Sequence, residues 1–536
     1  MEKTEQAILT QPQPHEDTLS GPALALSDPS LWLLAGGVGA LALTVYVMTL
    51  APGLTFANSG TDGGDLISAA RTLGVPHPSG YPTYTLLAWL FAQIPVGVIA
   101  YRVNLLSAVC AALAIGLFFR LAVHLFARSA RPLLLATCSA LTLAFSTLLW
   151  SQAVIAEVYA LLMLFAAWLT WLLVRWRDGG DDRLIWLAAL SLGLGLGNHL
   201  TLIFVAPAAL ILAWPERKRW FRARVLLPAV FLFALGLGVY AYLPLAARRG
   251  PPVNWGNPQT WRGFLWVVTG AQYQPFAFGL DLGAIPARIY AWAALAGDQF
   301  GWWGLPLVLV GMWGWWQRDR RFLAFGLVWG GLVGVYAFFY DTGDSHMYLL
   351  PVILLAALGW GEGVRRLLPL AHGLGPAVQR LALLVVILLP LASAALHWQS
   401  VDPDDDWFVH AYIYQITETA EEDGLIVVRG DGPTFALWYG VYAEERRPDL
   451  SVVSGPLLAF IWYREQVRQM YPDLILNEPI GADVTIDDLV RDLMESNLNR
   501  AVYATDPKEM WEEWFDFVKE EESSLYRVWP KSSSGL

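Results

Sequence analysis

The chain has 536 residues, 56% of them hydrophobic and only 15% charged, with 27 tryptophans and a formal net charge of −11. Its mean hydropathy of +0.44 is far too high for a soluble enzyme and requires a polytopic membrane protein.

Residues 1–29 are polar, contain proline and lack apolar periodicity, which predicts a disordered cytoplasmic tail. The first apolar stretch lacks a basic n-region and outruns an h-region, so no cleavable signal is expected. Windows of about 20 apolar residues, the length that crosses the hydrocarbon, predict spans at 30–51, 103–127, 132–149, 155–175, 184–198, 200–214, 225–246, 288–316, 322–340, 346–362 and 380–397. That makes about eleven helices, with 82–100 as a twelfth or a lid, and 288–316 is long enough to hide a break at Gly301. Cys110 and Cys138 both fall inside predicted spans, so neither a disulfide framework nor a thiolate metal site is expected.

Basic residues alternate between loops. Arg128 and Arg131; Arg175, Arg177 and Arg183; Arg217 to Arg224; Arg318, Arg320 and Arg321; and Arg365, Arg366 and Arg380 predict cytoplasmic loops. The intervening loops carry the carboxylates and predict an extracytoplasmic site. An odd number of spans puts the N-terminus in the cytoplasm and the C-terminal segment outside the cell membrane.

The first outer loop, 52–100, holds Thr61, Asp62, Gly63, Gly64, Asp65. Glycines let the backbone bend so that both carboxylates face one point, whether for base work, for a divalent cation or to orient a hydroxyl; helix capping accounts for one of them at most. The run His77, Pro78, Ser79, Gly80, Tyr81, Pro82 is a conformationally dictated turn that must line a cavity or be buried in protein. Its His77 is either a ligand or proton relay or a structural hydrogen-bonder. Further along, Glu157 stands at the mouth of a span, a functional candidate unless it snorkels. Asn198 and His199 interrupt an apolar run after Gly193, Gly195 and Gly197, glycines that permit close helix approach, and form either a polar site or a short turn. Arg248 and Arg249 run against the positive-inside trend and suit either a phosphate head group or lipid anchoring. The Asn254, Trp255 loop follows, and Asp344, His346 and Tyr348 complete a polar ring.

From 401 to 536 the net charge is close to −17, so the acidic excess belongs to the C-terminal segment, which argues against nucleic acid or anionic lipid as its partner. Strand-like runs at 425–428, 450–453 and 500–503 alternate with helical stretches at 434–442, 459–470 and 486–495, and Thr485 with Asp488 fits a capping box. A small α/β domain over 399–536 is expected. Its Asp431, Gly432 turn is either a ligand loop or a tight turn closing a strand.

The carboxylate pair, the run Leu73 to Pro82 and Arg102, Val103, Asn104, Leu105, Leu106, Ser107 resemble the protein O-mannosyltransferase-like family of the GT-C superfamily (domain of unknown function 2723, the transmembrane protein 260-like group). The resemblance continues through Trp150 to Tyr159, Leu194 to Thr201, Asn254 to Pro258 with Gln272 and Tyr273, and Asp344 to Pro351. Two positions depart from the family's pattern: Asp65 stands where Glu is characteristic, and Ser79 where a second proline is common. Losing one methylene moves the carboxylate by roughly 1.5 Å.

The resemblance implies a GT-C-like domain over 30–398 and transfer of a sugar, mannose or another hexose, from a polyprenyl-phosphate carrier to a protein or glycan acceptor on the extracytoplasmic face. Asp62 is then the expected base and Asp65 its partner. Arg248 and Arg249 would hold the phosphate, with Arg71 or Arg102 in reserve. Substrate contacts are expected from His77, Tyr81, Glu157, Asn198, His199, Asn254, Trp255, Gln272, Tyr273, Asp344, His346 and Tyr348, and Asp62 with Asp65 would carry any divalent cation. A transporter or lipid flippase, and a non-catalytic scaffold displaying the acidic domain, are the alternatives from other classes.

Overall fold

The structure, a computed structural model, describes residues 27–477 and 484–531; of the expected tail, 1–26 lie outside the described residues. Ser27 caps α1 (Asp28–Met48), its hydroxyl accepting from the Ser30 N–H. Next come α2 (Gly63–Thr72), α3 (Pro82–Ala92), α4 (Ile99–Leu125), α5 (Pro132–Ala144), α6 (Thr147–Ala153) and α7 (Tyr159–Arg177). They are followed by α8 (Arg183–Leu196), α9 (Val205–Ala213), α10 (Arg217–Trp220), α11 (Ala223–Leu237), α12 (Tyr242–Ala247) and α13 (Trp261–Val268). The helical part closes with α14 (Ile285–Phe300), α15 (Gly304–Arg318), α16 (Arg320–Phe339), α17 (Leu350–Gly373) and α18 (Pro376–Val401).

Among the described residues eight helical stretches are long and apolar enough to cross a membrane, nine if α5 and α6 count as one span. Three of the eleven expected spans are not among these eight, the last of them through the expected break at Gly301. Predicted span 132–149 is a helix pair bent by 65°; the bend frees the carbonyls of Ala144 and Phe145, which accept from Tyr46 Oη at 2.9 Å and Ser393 Oγ at 3.3 Å, as buried backbone in an apolar medium requires. Predicted span 184–198 shrinks to the 14 residues of α8. Predicted span 288–316 breaks where Gly301 takes φ +66°. The segment 82–100 is neither a full span nor a free lid, since α3 has 11 residues and packs on α2 and α4.

α4 and Ser345–Gly373 are the centre of the bundle, 78% and 83% buried over their most apolar windows, whereas α18 at 11% leaves its flank for lipid. Gly193 and Gly236 bring α8 and α11 into backbone contact: a Cβ on Gly193 would sit 2.5 Å from the Phe233 carbonyl oxygen. Small residues drive such approaches in lipid, where apolar surface alone gives helices no reason to associate.

The polar groups separate to the two ends of the helices. α7, about 28 Å long by its 19 residues, has Tyr159 beside Asp344 at one end and pairs Arg177 with Asp319 at 2.9 Å at the other. At that second end Arg219 meets Asp182 at 2.6 Å, and Arg318 and Arg365 converge at 2.8 Å on the fully buried Glu362. The basic loops read from the sequence therefore share one end, and the acidic loops share the other.

After α19 (Phe408–Thr419), the chain forms β1 (Leu425–Val428), α20 (Asp431–Trp438), β2 (Ser451–Ser454), α21 (Ile461–Met470), α22 (Ile486–Ser496), β3 (Val502–Ala504), β4 (Phe515–Lys519) and β5 (Tyr526–Pro530). The sheet order is β2-β1-β3-β5-β4. β1 runs parallel to β2 and β3, and β5 runs antiparallel to β3 and β4. β1, β2 and β3 are buried throughout, so they read as short apolar runs in the sequence. The Thr485–Asp488 capping box is present. The β4–β5 hairpin was not foreseen because its charged residues mask the alternation. One hydrophobic cluster joins the sheet to the helical part through Ala69, Val75, Trp255, Phe435 and Trp438.

Candidate functional site

The loop between α1 and α2 is held by its backbone oxygens. Asn104 Nδ2 donates to the carbonyls of Ala51 and Gly53, both at 2.9 Å, and Gln152 Nε2 donates to that of Asn58 at 3.0 Å. Asn58 and Ser59 take φ of 56° and 65°, a left-handed stretch that turns the chain into α2. The facing loop is laced on from far away: the Val75 N–H donates to Val253 O at 2.8 Å and the Trp255 N–H to Val75 O at 3.0 Å.

These restraints build a line of three side chains. Asp65 is fully buried, and its Oδ2 accepts from the His77 backbone N–H at 2.9 Å and from His77 Nδ1–H at 2.7 Å. Its Oδ1 accepts from Trp255 Nε1–H at 2.9 Å. On the far edge of the imidazole, His77 Nε2 stands 3.6 Å from Asp62. Asp62 keeps 40% of its side-chain surface open although it lies deep in the protein. Asp65 is thus a clamp for His77, and Asp62 stands at the other edge of the ring with part of its carboxylate open.

The electrostatics follow from that arrangement. Burial raises the Asp62 carboxyl; His77 lowers it, and Asp344, Asp65 and Asp431 raise it again, leaving it at about 6. Burial by itself would lower His77, but Asp62 and Asp65 outweigh burial and hold it at about 9. At neutral pH the pair is an imidazolium beside an ionised carboxylate whose basicity sits near the ambient pH, the condition for an efficient general base. Glu157 is buried, and its carboxyl is raised well above the usual range by burial and by Asp62. His199 is lowered to about 4 by burial, and its Nδ1 accepts from the Thr201 N–H, which leaves Nε2 as the protonated edge.

A cavity of about 130 Å³ opens beside this line, bordered by Pro78, Tyr81, His199, Tyr273, Tyr340 and Tyr348. The His77 ring packs edge-on against Tyr81 at 5.0 Å and against Tyr273 at 6.3 Å. Tyr348 lies 5.2 Å from His199, and Tyr159 Oη donates to Asp344 at 3.3 Å. Asn198 Nδ2 donates to Val158 O at 3.1 Å, steadying the turn that holds Glu157. Tyr81, His199, Tyr273 and Tyr348 therefore line the cavity, with His77 and Asp62 joined to it through Tyr81, Asp344 through Tyr159, and Glu157 on the turn that Asn198 holds, while the Asn254, Trp255 loop lies behind: Trp255 is 2% exposed and Asn254 7%. Gln272 lies next to Tyr273, with a buried side-chain oxygen that has no partner among the described residues.

The four arginines expected to hold phosphate lie elsewhere. Arg71 pairs with Glu445 at 3.5 Å, and Arg102 donates to the carbonyls of Ala92, Val96 and Gly97, capping the end of α3. Arg249 donates to Leu73 O at 2.7 Å, at the far end of α2 from Asp62, and Arg248 next to it is exposed. An arginine passed over in the sequence takes their place: Arg288 of α14 donates to Ser345 Oγ at 2.6 Å and approaches Asp341 at 3.9 Å. With His346, Trp292, Leu295 and Thr342 it lines a groove next to Asp344. Its signal was a single arginine on an apolar helix. Asp62 and Asp65 do not form a metal cage, because Asp65 already receives three N–H donors; among the described residues no group of three or more His, Cys, Asp or Glu is arranged to hold a metal.

Mostly helical, with a mixed-sheet domain over an acidic vestibule, the chain has the architecture of a multi-pass GT-C membrane protein. It superposes on ArnT from Cupriavidus metallidurans bound to undecaprenyl phosphate with a TM-score of 0.58 at 12% identity, over 94% of this chain and 98% of that one. ArnT in the apo state gives 0.55 over the same shares. At that identity the likeness is one of fold. Residues 62–222 match the protein O-mannosyl-transferase TMEM260 N-terminal domain, and 409–527 match TMEM260-associated domain 2. The chain belongs to the TMEM260-like GT-C family. The mouse protein named protein O-mannosyl-transferase TMEM260 is 27% identical over 82% of this chain and 65% of its own length. The Dictyostelium discoideum protein of that name is 25% identical over 86% of this chain and 62% of its own. The chain thus spans slightly less than two thirds of the curated relatives it matches.

Proposed function

We propose that the protein is a membrane glycosyltransferase that moves mannose or another hexose from a polyprenyl-phosphate donor to an acceptor hydroxyl, on protein or glycan, with inversion at the anomeric carbon. The observation that carries this reading is the Asp65–His77–Asp62 line, which ends in a carboxylate with 40% of its side-chain surface open. Asp62 takes the proton of the acceptor hydroxyl, the oxygen attacks the anomeric carbon, and the bond to phosphate breaks on the opposite face, releasing polyprenyl phosphate. A phosphate leaving group needs no general acid, and no step runs through a metal. Arg288 supplies the cation of the groove for the phosphate, beside His346 and Asp298, and Trp292 and Leu295 an apolar wall for the lipid. The names of the mouse and Dictyostelium relatives support mannose and a protein acceptor, and the ligand of ArnT supports a polyprenyl phosphate. The arginine-rich end supports a cytoplasmic face of the cell membrane there, with the N-terminus inside and the α/β domain outside.

The test is transfer by purified protein from a panel of radiolabelled polyprenyl-phosphate sugars, parent against Asp62→Asn. Transfer by the parent with a loss of roughly 10²- to 10⁴-fold in the variant is expected; full activity in Asp62→Asn removes the base assignment, and a parent that uses no donor removes the transferase.

A further inference from the structure

The α/β domain docks on the helix and turn that carry the two aspartates. Gly430 takes φ +86°, turning the chain from the end of β1 into α20, which packs on α2 and on the turn that ends at Asp62. The fit is close to backbone contact. A Cβ on Gly64 would stand 2.3 Å from the Phe435 carbonyl oxygen, and one on Gly432 would stand 3.3 Å from the Phe56 ring. From the same helix Phe435 and Trp438, each with its ring 6.3 Å from that of Trp255, join Trp462 of α21 at 5.6 Å in packing the indole that holds Asp65.

This docking leaves Asp431 exposed at the mouth, next to the catalytic turn. It is the first residue of α20, and its side chain has no hydrogen bond or ion pair among the described residues. Its neighbour Arg429 is occupied by Asp506 at 3.1 Å. Asp431 stands close enough to His77 and Asp65 to feel both charges. Favourable placement in a first helical turn does not call for a carboxylate next to a turn that already carries Asp62 and Asp65. The domain that carries it has a net charge close to −17, whereas Arg288 lines a separate groove with no residue of that domain in its lining.

Resting on the transferase reading, we infer that Asp431 is the acceptor-side carboxylate of the site, contributed by the α/β domain, and that it receives a polypeptide acceptor whose hydroxyl is flanked by cationic side chains. The donor phosphate and the acceptor then approach through regions of opposite charge, which keeps each out of the other's place.

Two synthetic serine peptides, identical except for lysine or glutamate on both sides of the serine, test this with a radiolabelled polyprenyl-phosphate hexose that the parent hydrolyses or transfers. The parent is expected to prefer the lysine peptide. Asp431→Asn should raise KM for it about tenfold with a much smaller change in kcat. Asp431→Lys should move the preference to the glutamate peptide, a gain that misfolding does not produce. An unchanged KM in Asp431→Asn, a parent that prefers the glutamate peptide, or a parent that turns over donor yet glycosylates neither peptide overturns the inference while the transferase stands. A parent that turns over no donor removes both.

Discussion

Trp255 and Asp65 are 190 residues apart in the chain, yet the indole N–H donates to the buried carboxylate at 2.9 Å. That bond joins the loop after α12 to α2 and fixes the oxygen atoms that hold His77. Trp255→Phe keeps the ring and deletes the donor, so Asp65 loses one of its three hydrogen bonds. A destabilisation of about 1–3 kcal/mol is expected, with a larger fall in kcat than in donor binding, measured by thermal unfolding and by single-turnover transfer.

Asp65→Asn acts more severely, because His77 then loses the carboxylate that holds its Nδ1 proton. Removing one partner from a buried charged pair costs about 3–5 kcal/mol. Asp65→Glu restores the charge and should recover part of the activity, while Asp62→Glu should keep the fold and lose rate, since only the base has moved.

The pH profile of transfer should be bell-shaped. Asp62 must be ionised to accept a proton, so kcat/KM falls as the pH drops through about 6. His77 loses its proton as the pH rises through about 9, which removes the positive charge beside Asp62. Because its folded value lies above the ordinary 6.5 or so, the stability it contributes is complete below that value and disappears on passing about 9. The alkaline limb of kcat/KM and of thermal stability should therefore coincide, and His77→Gln should abolish both.

Arg288→Ala should raise KM for the polyprenyl-phosphate donor at least tenfold, by loss of a charge-assisted contact. Arg248→Ala should leave it within about twofold, since that side chain is exposed at the far end of α2. Equal effects of the two substitutions would return the phosphate to Arg248 and Arg249.

Glu362→Gln is the control for stability without chemistry. Glu362 is fully buried among Arg318, Arg365 and Arg366 at the end away from Asp62. Its loss leaves three guanidinium groups facing one another, at an expected cost of about 3–5 kcal/mol, with kcat of the folded fraction unchanged in a detergent-solubilised assay.

What the chain alone determined is what lipid enforces locally. About 20 apolar residues are needed per crossing, so the positions of the spans, the Gly301 break and the segregation of arginines were legible residue by residue, as was the Thr485–Asp488 capping box. The carboxylate pair was legible too, because two aspartates in a glycine-rich loop have no role in a core. The different work of the two aspartates was not. Asp65 is a clamp because Trp255 and His77 both donate to it, and Asp62 stays partly open because only His77 approaches it, at 3.6 Å; both facts depend on contacts between distant segments.

The same reason hid Arg288 and misdirected attention to Arg248 and Arg249. In a membrane helix apolar residues occur all round, so the pattern does not say which face turns inward, and one arginine on α14 looks no different from an anchor. Only the packed bundle decides that Arg288 faces the groove beside Asp344, and only the docking of α20 on α2 makes Asp431 a neighbour of His77.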